Sequence, residues 1–317
     1  MHPSFSIERR EFLRLCGASA ALAPLSMLSA LSARAAIEQE TSGKMYPVKL
    51  AVKYGMIRAG DSPQEKFELI KRLGYEGVEM DSPSNVDRDE VVRARDKTGI
   101  VIHGVVDSIH WQKRLSDPDP AVRAEGLAGL KTAIKDCDRY GGTTVLLVPG
   151  RVSNKETENF EQVWERSTTE TKKAIPLADE LGVKIAIEVV WNDFLTKPEQ
   201  LVEYVDQFQT PTVGAYFDSS NMLRYGVPSA TWIRKLGKRM LKFDLKGFDY
   251  NRYAKKEGRK GSPWVAIGEG TEDWPEIVKA LDEVGYRDFA TAEVSGGGEK
   301  ELKDILERMR RVFTLPA

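Results

Sequence analysis

Residues 183–245 read VKIAIEVVWNDFLTKPEQLVEYVDQFQTPTVGAYFDSSNMLRYGVPSATWIRKLGKRMLKFDL. Three runs in it, 183–188, 213–217 and 240–245, are short and mostly apolar, as in strands of a parallel sheet covered on both faces. Helical stretches at 198–207 and 229–236 separate them. Strand, helix, strand, helix, strand is the order of βαβ units. Working back toward the N-terminus, strands are expected at 48–52, 77–80, 99–104 and 144–148. Helices are expected at 63–73, 88–97, 120–140 and 160–181, with Gly74 and Gly141-Gly142 as stops. Toward the C-terminus come a helix at 274–284, a strand at 288–293 and a helix at 300–313. Eight such units over ~280 residues predict an α/β fold, a (β/α)₈ TIM barrel in a single domain, 47–317. An open doubly wound sheet is the alternative. No glycine-rich loop follows the first strand, so a nucleotide-binding version of that sheet has little support.

The whole chain has 317 residues, with 47 Lys+Arg against 48 Asp+Glu and 41% apolar residues. That composition excludes a mainly disordered chain and lacks the basic footprint of a nucleic-acid binder. Residues 6–36 read differently: Arg9-Arg10, then Phe12-Leu13, an Ala/Leu/Ser-rich stretch and Ala33-Arg34-Ala35. This is the pattern of a twin-arginine export signal, residues 1–35, followed by a linker, 36–46; an N-terminal membrane anchor is the alternative. Its removal leaves 43 basic against 46 acidic residues and a net charge of −3. It also removes Cys16 and His2, so Cys137 has no partner for an intramolecular disulfide. A soluble periplasmic protein without a later membrane span is expected, monomeric or a homo-oligomer.

Barrel chemistry sits at the C-terminal ends of the strands. Those ends carry Glu79, His103, Glu188, Asp218, Asp244 and Glu293. Four acids on four consecutive strands, Glu188, Asp218, Asp244 and Glu293, repel one another unless some hold protons or a cation lies among them. Their hard oxygens suit Mn²⁺ best, with Mg²⁺ or Co²⁺ as further candidates. Lys246 would hold a substrate oxygen or pair with the acids. His110 precedes Trp111 in a loop and suits a mobile base or hydroxyl partner; His103 suits either the site or the core. Trp191 and Trp264 offer flat faces for a sugar ring.

The segments IAIEVVWN, AYFDSSNM, KFDLKGFD and TAEVSGG, at 185–192, 215–222, 242–249 and 291–297, resemble the sugar phosphate isomerase/epimerase superfamily, the xylose-isomerase-like barrels. The resemblance covers nearly the whole chain after residue 46. It implies that Glu188, Asp218, Glu293 and a strand-seven residue hold one divalent metal. It also implies that Glu188 and Glu293 form the acid/base pair. Glu79, Trp111, Trp191, Asn192, Asn221 and Trp264 are the residues expected around the substrate. Strand seven offers Asp244 where the usual motif begins with His, while Lys246 matches. Asn221 replaces a second His. A short loop resemblance, His110-Trp111 followed by DPDPAVRAEGL, is to exported proteins acting on 3-oxo-glycosides.

The expected activity is proton abstraction beside a sugar carbonyl through an enediolate. Returning the proton gives an epimer or an isomer, and loss of a leaving group gives a 3-oxo-glycoside lyase or hydratase. A non-catalytic periplasmic sugar-binding barrel is the alternative of another class. An abasic-site endonuclease shares the barrel but needs a histidine-rich metal site and a basic face, and this chain has neither.

Overall fold

The computed structural model describes residues 43–255 and 262–314. The expected export signal, most of the expected linker and part of the basic loop after strand seven lie outside the described residues. Met45–Phe313 form one unit, and Met1–Lys44 with Thr314–Ala317 form another that is nearly all outside them.

Eight parallel strands close in chain order: β1 Lys49–Lys53, β2 Gly77–Ser82, β3 Val101–Asp107, β4 Thr144–Leu147, β5 Lys184–Glu188, β6 Val213–Asp218, β7 Met240–Leu245 and β8 Phe289–Ala292. The helices are α1 Pro63–Leu73, α2 Arg88–Thr98, α3 Pro120–Tyr140, α4 Phe160–Lys172, α5 Ile175–Leu181, α6 Pro198–Asp206, α7 Ser229–Leu236, α8 Tyr250–Ala254, α9 Trp274–Val284 and α10 Glu299–Phe313. This is the expected (β/α)₈ barrel. Local signals explain the boundaries. Ser62 and Glu65 cap α1 reciprocally, Pro63 opens it, and Gly74 closes it at φ +100°. Asp119 caps α3, and Gly141 ends it in the left-handed region.

Three expectations are corrected. The helix expected over 160–181 is two helices, α4 and α5. Pro176 lies in the first turn of α5, where its missing N–H and its ring forbid a continuous helix. Strands β2 and β3 run beyond the expected 80 and 104, to Ser82 and Asp107, because their mouth ends are polar and read as loop. His103 therefore does not close β3. The β2–β3 register passes from Val78↔Ile102 to Glu79↔Gly104, leaving His103 as an unpaired extra residue. It stacks on Phe289 with centroids 4.6 Å apart, and its Nε2 lies 3.1 Å from Thr291 Oγ1. It is a core histidine near the start of β8, away from the mouth.

Inside the barrel, Val106, Leu146, Ala186, Val190 and Tyr216 form an apolar wall. Toward the start of β2, Gly77 allows Phe289 to cross the floor. A Cβ at Gly77 would overlap the Phe289 ring and come within 3.1 Å of Val101 O. Gly77→Ala is expected to lower stability by about 1–3 kcal/mol through overpacking, read by urea unfolding. An unchanged midpoint would show that the Phe289 ring moves freely.

Candidate active site

Lys53, the last residue of β1, sends its ammonium into the barrel. It hydrogen bonds Glu79 Oε2 and lies 2.7 Å from Asp244 Oδ2. The Tyr216 hydroxyl sits between the same two acids, 2.8 Å from Asp244 Oδ1 and 3.2 Å from Glu79 Oε2. The Lys53 Nζ also lies 5.1 Å from the Tyr216 ring centroid. Burial alone would strip Lys53 of its proton; Asp244 and Glu79 outweigh that and hold it firmly charged. Asp244 is raised well above the usual carboxylate range, by burial and the neighbouring acids against the pull of Lys53.

One step nearer solvent stands a second arrangement. Lys246 Nζ is 3.1 Å from Glu293 Oε2, 3.7 Å from Asp218 Oδ2 and 3.1 Å from Asn221 Oδ1. The Asn221 Nδ2 donates to Glu188 Oε1 at 3.1 Å. The amide therefore presents its oxygen to an ammonium and its nitrogen to a carboxylate. Glu188 is pushed up to about 8, first by burial and then by the charge of Glu293. Burial also pushes Glu293 up, but Lys246 and Lys53 outweigh it and hold the group down at about 2. Two glutamates in one site are thus driven to opposite protonation states.

One oxygen each from Glu188, Asp244 and Glu293 lie within 4.8 Å of one another, a grouping that could hold a metal ion. Asp218, expected as a fourth ligand, is outside that group. Its Oδ1 accepts from the backbone N–H groups of Ser220 and Asn221 at 2.8 and 2.6 Å. Its Oδ2 is buried without a hydrogen bond.

Of these groups, Glu188, Asn221, Lys246 and Glu293 line a cavity of about 340 Å³. Lys53, Asp81, Glu188, Lys246 and Glu293 make its charged side; Val106, Leu146 and Val190 make the apolar side. Trp191 and Trp264 stack at 5.0 Å and 27°, and Trp191 Nε1 donates to Asn221 O at 2.6 Å. Trp111 packs edge-on against His110 and stays exposed. Burial lowers His110 to about 3, so it is neutral. Its Nδ1 accepts from Val148 N at 3.4 Å, which leaves Nε2 as the N–H donor. The expected base is thus placed as a neutral donor in the cavity wall.

Of the other expected site residues, Glu79 lies beneath the cavity as a partner of Lys53. Asn192 does not line it. Its amide donates to Gly150 O at 2.7 Å and accepts from Phe194 N at 3.1 Å, tying the β4 and β5 loops together. Lys53, Asp81 and Tyr216 belong to the site but escaped the sequence reading. For Lys53 and Asp81 the signal existed: a charge at the mouth end of a barrel strand.

The sequence profile of the family described as "Xylose isomerase-like TIM barrel" matches residues 67–312. The chain belongs to that family. Among curated relatives, L-ribulose-5-phosphate 3-epimerase UlaE of Escherichia coli O1:K1 / APEC is 26% identical over 186 residues, 55% of this chain and 65% of the relative. Among solved structures, apo 3-keto-D-glucoside 4-epimerase YcjR from E. coli superposes with a TM-score of 0.70 at 15% identity, covering 84% of this chain and 100% of that one. An IOLI protein with a binding zinc atom gives 0.66 at 18% identity over 84% and 98%. At these identities the structures establish the shared fold.

Lys53→Met would leave Glu79 and Asp244 buried without their counter-charge. It is expected to cost about 3–5 kcal/mol at pH 8, measured by urea unfolding in EDTA. The loss should shrink at pH 5, because a protonated Asp244 needs no ammonium. An equal loss at both pH values would overturn this account.

Proposed function

We propose that this barrel catalyses proton transfer at the carbon beside a sugar carbonyl, as an isomerase or epimerase of sugars or glycosides. The observation that carries the reading is the pair Glu188 and Glu293, brought together at the ends of β5 and β8 and held in opposite protonation states across the Lys246–Asn221 bridge. Glu293, ionised, removes the proton from carbon; Glu188, protonated, returns one. Lys246 and the His110 N–H supply positive charge and a donor for the oxygen that becomes negative. Trp111, Trp191 and Trp264 give the ring apolar faces to stack on. The relatives' names, epimerases of a pentulose phosphate and of a keto-glucoside, support the same class.

The donor set fits a divalent metal. Asp244 Oδ2 and Glu293 Oε2 are buried without a hydrogen bond, each beside an ammonium and close to the other acids of the group. Glu188, Asp244 and Glu293 would hold the ion once Glu188 and Asp244 had released their protons, and three carboxylates favour Mn²⁺, with Mg²⁺ or Co²⁺ as alternatives. A bound ion would supply Lewis-acid polarisation of the sugar carbonyl. Hydration or β-elimination of a 3-oxo-glycoside begins with the same proton removal and differs in the product. Export by the twin-arginine route, with cleavage after Ala35, is part of this proposal.

Solvent deuterium should enter candidate ketoses or 3-oxo-glycosides at the carbon beside the carbonyl. Glu188→Gln and Glu293→Gln should each lower kcat by roughly 10²–10⁴-fold. Exchange that survives both substitutions would overturn the assignment, and absence of exchange with every substrate would leave a binding barrel. Elemental analysis should find one divalent ion per chain, lost in Glu293→Gln. A protein that stays metal-free under every reconstitution condition removes the ion from the proposal.

A further inference from the structure

Beside the 340 Å³ cavity lies a larger one of about 1110 Å³. Lys246, Trp264 and Glu293 line both, so the second cavity adjoins the reacting groups. The second runs outward between residues 262–267 and the N-terminal half of α10. The first is near the lower end of small-molecule sites, roughly 300–1,000 Å³, room for little more than one sugar ring. The second adds more than that again, and its apolar surface comes from Ile267, Ile305 and the Trp264 indole.

Its charges balance. Lys246, Lys300 and Arg308 face Glu293, Glu301 and Asp304, and Arg308 is already 2.7 Å from Asp304. Barrels that bind phosphate commonly do so at the loops after strands seven and eight, with a helix N-terminus. Here the start of α10 is occupied by its own acids. Glu301 Oε2 accepts from Gly298 N at 3.0 Å, and Glu299 pairs with Arg72 at 2.9 Å. Carboxylates already complement the positive end of the helix, and a phosphate there would meet them.

We infer that the site takes an extended, unphosphorylated glycoside, with the reacting ring over the carboxylates and the second sugar or aglycone in the cavity beside α10. This rests on the sugar-enzyme reading above and narrows it. The chain would then differ in substrate class from the 5-phosphate its curated relative is named for.

Calorimetric binding to the wild-type protein tests it without turnover, using cellobiose, maltose and sucrose against D-glucose, D-fructose and D-fructose 6-phosphate. At least one disaccharide should bind about tenfold tighter than either monosaccharide, and the phosphate should bind no tighter than D-fructose. Ile305→Trp, which fills the cavity, should abolish the disaccharide preference and leave monosaccharide binding within about twofold. Lys300→Trp, at an exposed position on the same wall, should do the same should Ile305→Trp fail to fold. Disaccharides that bind no tighter, a preferred phosphosugar, or variants that weaken all sugars alike would each overturn the inference. Failure of the enzyme reading would show separately, as absent deuterium exchange.

Discussion

The pairing of two partly buried lysines with five carboxylates is the constraint around which this barrel is arranged. Glu79, Glu188, Asp218, Asp244 and Glu293 all point into the barrel, where like charges about 4 Å apart repel by several kcal/mol even at a generous effective dielectric. Lys53 lies against Glu79 and Asp244, and Lys246 against Glu293 and Asp218. TIM barrels usually fill the interior with branched apolar residues. Here β1, β2, β6 and β7 fill part of theirs with an ammonium, two carboxylates and a tyrosine hydroxyl. The strands that close the barrel and the groups that would do chemistry share one set of contacts, so the fold and the site cannot be altered independently.

That sharing explains what the sequence disclosed. Strand β7 and helices α1, α3, α7 and α9 fall where expected, because their apolar runs end at residues with clear local chemistry, such as Gly74, Gly141, Gly237 and Gly285. The errors cluster at the mouth. Asp81, Ser82 and Asp107 looked like loop because a polar end is what a functional strand shows, and periodicity fails where function overrides it. The extra residue at His103 follows from the register between two strands, which no local pattern records. Lys53 looked like the end of an apolar run, since its partners lie far along the chain. The break at Pro176 is a local signal, a proline in the first turn of a new helix.

The mouth is also asymmetric. Val106, Leu146 and Val190 line one side of the cavity, and lysines and carboxylates line the other. A sugar has apolar C–H faces and polar edges, so under the proposed function such a cavity would orient a ring before any catalytic contact forms. Asn221 extends the same ordering to protons. With an ammonium on one side and a carboxylate on the other, only one amide orientation satisfies both, and Trp191, held to the Asn221 carbonyl, is fixed by the same turn. One short 3₁₀ segment, Asn221–Tyr225, thus links Glu188 and Lys246 to the aromatic stack.

The change at strand seven becomes intelligible in these terms. The barrels this chain resembles begin that motif with a histidine, a neutral ligand when it binds metal. An aspartate alone would add a negative charge to a site already crowded with them. It arrives with Lys53, whose ammonium lies 2.7 Å from it, and with the Tyr216 hydroxyl at 2.8 Å. Aspartate plus lysine carries the same net charge as one neutral histidine. Position 244 therefore belongs with position 53: the ammonium on β1 offsets the charge that the aspartate brings on β7.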